Sequence, residues 1–143
     1  MMHFFVDVIP VPKQSFRIGG RGRLGFQPKR LTVYEKTIAQ AAREAALDHD
    51  WKTARAGVPI GVRISFIFPH PKAAKKSLRD QRVFRTKRPD IDNLQKAVLD
   101  GLSRANLWED DQQVSTVRAF KFDGPRGSEG VEIRVEVRDD RME

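Results

Sequence analysis

Asp90, Asp92, Lys96, Asp110 and Asp111 fall within one stretch, residues 87–111, which reads KRPDIDNLQKAVLDGLSRANLWEDD. Bunched carboxylates in a chain of net charge +8 need a reason. Hard divalent cations such as magnesium take carboxylate oxygens and keep several waters, so two or three aspartates on a polar rim suit that chemistry. Each aspartate alone reads first as a helix cap or a solvated surface charge. That plainer reading does not account for Asp90, Asp92, Asp110 and Asp111 together.

The element that positions them is a helix. Leu94, Ala97, Val98, Gly101 and Leu102 fall at helical spacing and make one apolar stripe. Pro89 disfavours helical geometry at Arg88, so the chain should arrive extended. Asp92 is then the expected N-cap. Asp92, Lys96 and Asp100 share a second face at spacing four. Helical side chains lean toward the N-terminus, so the Lys96 ammonium is expected to point back at Asp92 and Asp90.

The string RPDIDNLQKAVLDGL, followed by LWEDDQQV, closely resembles the RusA family of Holliday junction resolvases. The matching core covers residues 88–114, with weaker likeness on both sides. The resemblance implies a small endonuclease that cuts four-way DNA junctions as a homodimer with magnesium, for which manganese is an expected substitute. It implies that Asp90, Asp92 and Asp111 are the essential metal-holding carboxylates, with Lys96 as their catalytic support. It also implies a role in late recombination, repair or prophage DNA processing. Asp110 is an additional candidate ligand or a group behind the ligands.

The composition fits a nucleic-acid enzyme. A chain of 143 residues suggests a single domain spanning 1–143. With 39% hydrophobic and 32% charged residues it reads as globular. There is no cysteine, which excludes disulfides and thiolate metal sites. No apolar run approaches the roughly 18 residues of a membrane span, and the expected location is cytoplasmic. The positive charge favours an anionic partner, with DNA first.

The basic residues gather in two long loops, expected to be flexible. Residues 11–31 carry Lys13, Arg17, Arg21, Arg23, Lys29 and Arg30 with no acid. Phe16 and Phe26 there could stack on a base or pin the loop. Residues 69–88 hold eight basic groups against Asp80, and Lys75, Lys76, Arg85, Lys87 and Arg88 are the candidate DNA contacts. Such groups hold the phosphate backbone. His49 has no partner at ligand spacing and reads as ordinary surface, and His70, between two prolines, is assigned no role.

The remaining pattern gives an α+β fold in the order β-α-β-α-β-β, one mixed sheet with helices packed on it. Strands are expected at 3–9, 60–68, 114–122 and 131–137, and a helix at 33–48 opened by a Thr32–Glu35 capping box. Residues 73–82 could form a further short helix. A helix over 92–103 is about 18 Å long. Asp111 follows its far end, yet the eight residues 104–111 could reach back about 26–29 Å. A one-chain site and a site shared by two subunits both satisfy that geometry. Leu107 and Trp108 are expected to pack on the core and fix the return.

The expected function is magnesium-dependent cleavage of branched DNA by paired symmetric cuts. The metal would acidify a water and neutralise charge on the phosphate. Two other readings compete: a basic DNA- or RNA-binding accessory protein without catalysis, and a metal nuclease for other branched DNA. The accessory reading explains the charge but leaves carboxylates facing phosphate without a cation between them.

Overall fold

The computed structural model describes residues 1–13 and 28–138. Arg17, Arg21, Arg23, Phe16 and Phe26 lie outside the described residues. The elements are β1 (Met2–Val6), α1 (Lys29–Asp48), β2 (Ile60–Pro69), β3 (Val83–Phe84), α2 (Ile91–Ser103), β4 (Val114–Gly124) and β5 (Gly130–Val137). The expected α+β order therefore holds, with one two-residue strand added. The five strands form one mixed sheet in the order β1-β5-β2-β4-β3. β2 and β4 run parallel and the other pairs are antiparallel. A parallel pair needs a long crossover, and α2 lies within that connection.

The apolar stripe read from the sequence is the buried face of α2: Leu94, Ala97, Val98, Gly101 and Leu102. It meets α1 at very short range. A Cβ on Gly101 would come within 2.9 Å of the Ile38 side chain and 3.1 Å of the Glu35 carbonyl. Only glycine lets the two helices approach this closely. Together the helices cover one face of the sheet, where Val62, Ile64, Phe66, Val131, Ile133 and Val135 form the core. Leu107 and Trp108 are buried in the same cluster, as expected. Among the described residues no helix is long and apolar enough to cross a membrane.

Several boundaries differ from the pattern-based expectation. β1 stops at Val6, because the Val8 N–H turns back to the Val6 carbonyl at 2.9 Å. α1 begins at Lys29, so Lys29 and Arg30 belong to its exposed first turn and not to a loop. The Thr32–Glu35 capping box does not form. Pro28 occupies the cap position, and its carbonyl accepts from the Leu31 and Thr32 N–H groups at 3.0 and 3.2 Å. Glu35 instead lies buried between the helices, 3.4 Å from the Arg104 guanidinium. Residues 69–88 are not a featureless loop. They hold a 3-10 turn at Lys76–Leu78, in place of the short helix considered, and then β3.

Candidate active site

The N-terminus of α2 carries the first two carboxylates. The Leu94 N–H closes the first turn on the Asp90 carbonyl at 3.2 Å, so Asp90, not Asp92, is the N-cap residue. Its carboxylate makes no capping bond. Asp92 sits in the first helical turn, also exposed, with no side-chain partner among the described residues. Both acids are therefore free of the structural duty that usually explains an aspartate here. Lys96 is exposed one turn later, and it forms no ion pair within the chain among the described residues.

The approach to Asp90 is held by residues whose part was not legible in the sequence. The Lys121 ammonium on β4 donates to the Lys87 and Pro89 carbonyls at 2.7 and 2.8 Å. The Arg85 guanidinium donates to the Arg88 carbonyl at 2.8 Å and to Asp123 at 2.7 Å, and lies over the Phe68 ring. Arg85, a candidate DNA contact, is thus engaged as a brace between β3, β4 and the α2 N-terminus. Lys13 is likewise engaged: its ammonium pairs with Asp100 on α2, and its N–H donates to the Asn93 carbonyl at 2.9 Å. Lys75, Lys76, Lys87 and Arg88 are exposed, and the last two lead directly into Asp90.

The second acidic pair lies at the opposite end of α2. Asp110 opens a short 3-10 turn, Asp111–Gln113, and is used up as its cap. Its carboxylate accepts from the Gln112 N–H at 3.2 Å and the Gln112 side chain at 2.9 Å. Gln113 completes the cap by accepting from the Asp110 N–H at 2.7 Å. Its amide group, buried, also donates to the carbonyls of Arg55 and Val58 at 2.6 and 3.0 Å. Asp111 is exposed and accepts from the Trp108 indole N–H at 3.1 Å.

This end of the molecule is tied down firmly. The Leu107 carbonyl takes the Ala54 N–H and the Trp51 indole N–H, each at 3.0 Å. The Glu109 N–H donates back to the Ala54 carbonyl at 3.1 Å. Residues 104–111 therefore do not spend their length on a return toward Asp90. Between Val114, next to Asp111, and Lys121, which holds Pro89, β4 advances seven residues, about 23 Å at the usual strand rise. Asp111 and the Asp90–Asp92 pair are thus about 20 Å apart in one chain. Among the described residues no three acidic or histidine side chains converge to hold a metal.

The donor chemistry at Asp90 and Asp92 still suits a hard divalent cation. Magnesium is commonly held by one or two carboxylates, with substrate phosphates and water filling the remaining positions. Asp90 and Asp92 are the two exposed carboxylates that would supply such a partial shell, with Lys87, Arg88 and Lys96, also exposed, close by in the sequence.

The chain belongs to the RusA endodeoxyribonuclease family, a class of nucleases, and the family model matches residues 7–136. Among its relatives is the crossover junction endodeoxyribonuclease RusA of Shigella sonnei, 46% identical over 128 residues, covering 88% of this chain and 89% of the relative. The protein of that name from Escherichia coli K12 is 32% identical with the same coverage. The Aquifex aeolicus one is 28% identical over 141 residues, covering 94% and 90%.

Proposed function

We propose that this protein is a cytoplasmic, magnesium-dependent endonuclease that resolves four-way DNA junctions by paired symmetric cuts. In this reading each active site is shared by two copies: one gives Asp90, Asp92 and Lys96, and the other gives Asp111. The observation that carries it is the pair of exposed, unengaged carboxylates at the α2 N-terminus, with the third carboxylate about 20 Å away in the same chain. Asp90 and Asp92 would hold the cation, which supplies water activation and neutralises charge at the scissile phosphate. Lys96 would donate to a non-bridging phosphate oxygen, and Lys87 and Arg88 would hold the strand backbone. Asp110, spent as a cap, has no part in the site.

The edge of β4 supports the sharing. β3 pairs only with Phe122 and Asp123, so among the described residues β4 has no strand partner on that side from Val114 to Phe120. The Arg85 N–H reaches the Lys121 carbonyl, which sets the outward side, and Val117 and Ala119 share it by strand alternation. Antiparallel pairing of two copies about Val117 would bring Asp111 of each against residues 85–90 of the other. It would also give the two-fold symmetry that a symmetric junction requires. The test is Asp92→Asn. It should bind a four-way junction at least as tightly as wild type in a gel shift, since a like charge is removed, while losing cleavage. Cleavage at the wild-type rate would refute the assignment.

A further inference from the structure

The helices cover one face of the sheet, and the other face carries a feature that the acidic site does not use. On β4, Val117 and Ala119 pack toward the core, so Arg118, Phe120 and Phe122 project from the opposite face. Phe84 of β3 stacks on Phe122 with centroids 5.1 Å apart, and Phe122 continues to Phe120 at 6.2 Å. This three-ring ladder is open to solvent at its outer end, where Phe84 is 70% exposed. Arginines lie over the rings: Arg63 and Arg118 over Phe120 at 5.0 and 5.9 Å, and Arg82 over Phe122 at 5.3 Å. Arg63, Arg82 and Arg134 border an open groove of about 410 Å³. The Arg134 Nε is buried without a hydrogen-bond partner among the described residues.

The charge of this groove selects its occupant. Against these arginines the lining offers, among the described residues, one carboxylate, Glu132, which lies 3.8 Å from Arg82. Two copies placed face to face would bring the arginines of both together without compensating acids. A chain of phosphates carrying flat, unpaired bases meets both halves of the surface: rings stack on the phenyl faces, and guanidinium groups pair with phosphate oxygens. A fully paired duplex offers the phosphates but hides the base faces. We propose that this groove is a single-strand site, which receives unpaired nucleotides where a branched DNA opens. Phe84 lies six positions before Asp90, so a strand held here lies close to the segment that leads into the acidic pair. The proposal rests on the reading above only in taking the ligand to be DNA.

The test measures binding of a fluorescein-labelled dT12 strand and of a matched duplex by anisotropy, in EDTA so that nothing is cut. Base stacking on an aromatic side chain implies that Phe84→Ala weakens single-strand binding about five- to hundredfold. Duplex affinity should stay unchanged, and Phe84→Trp should restore the loss. A 2-aminopurine placed in the strand should be quenched by wild type and not by Phe84→Ala. Unchanged single-strand affinity, or an equal loss on duplex, overturns the proposal. So does a fall in sedimenting mass for Phe84→Ala with single-strand binding intact, which would mark the face as a self-association surface. Junction cleavage by the wild-type protein separates the two readings. Wild-type protein that binds dT12 through Phe84 but never cuts a junction would refute the nuclease assignment and leave the single-strand site standing.

Discussion

Mixing two inactive variants tests the shared site. Take Asp92→Asn and Asp111→Asn, each inactive as a pure protein, and co-express them with different affinity tags. If a site draws Asp90 and Asp92 from one copy and Asp111 from the other, the mixed dimer places both substitutions in the same site and leaves the second site intact. Random assortment gives about half mixed dimers, each with one working site of two, so about one quarter of wild-type sites should be present. Mixed dimers isolated through both tags should nick at about half the wild-type rate per dimer. They should also fail to make the second cut, so that a supercoiled plasmid bearing a cruciform ends as nicked circle rather than linear DNA. The magnitude follows from the structure. A gap of about 20 Å exceeds by several-fold the few ångströms over which two carboxylates share a cation. If mixed dimers are as inactive as the single variants, each chain holds its own complete site, and the separation along β4 has been misread.

Other substitutions test the parts that hold the site. Val117→Pro removes an N–H on the open side of β4, where proline is tolerated, so the fold should survive while sedimentation shows loss of the dimer. Gln113→Leu removes the buried amide that serves the Arg55 and Val58 carbonyls, and should cost about 2–4 kcal/mol in urea unfolding. Gly101→Ala sets a methyl 2.9 Å from Ile38, and overpacking of about 1–3 kcal/mol should outweigh any gain in helix propensity, lowering the Tm. Among the described residues the Tyr34 hydroxyl, buried near the Val11 backbone, has no partner in hydrogen-bond geometry, and burial pushes its pKa well above the ordinary phenol range. Tyr34→Phe should therefore leave stability equal or higher, because no bond is lost and one polar group is no longer buried. A loss of more than about 1 kcal/mol would contradict that account.

Periodic patterns carried most of the architecture. The stripe from Leu94 to Leu102 and the alternation along β5 each report a single buried face, and such a face survives translation into a fold. β3 escaped notice because two residues leave no period, and Val83 and Phe84 are a strand only because β4 lies beside them. Glu35 shows the same limit. Its spacing from Thr32 matches a capping box, but the close α1–α2 approach at Gly101 buries it next to Arg104. The types of the candidate site residues were legible, since carboxylates around a helix in a basic chain are unusual. Their separation was not, because it depends on how residues 51–56 bind residues 106–109, pairs about 50 positions apart. Arg85 and Lys13 read as free cations for the same reason: their acceptors, Asp123 and Asp100, come from distant strands and helices.

The most direct test of the account is cleavage of an end-labelled, mobile four-way junction beside a linear duplex of the same sequence, with and without magnesium, by wild type and Asp92→Asn. The account predicts paired, symmetric nicks in the junction alone, only with magnesium and only for wild type. Binding without any cut under magnesium or manganese would contradict it, and Asp90 and Asp92 would then be surface charges at the start of a helix.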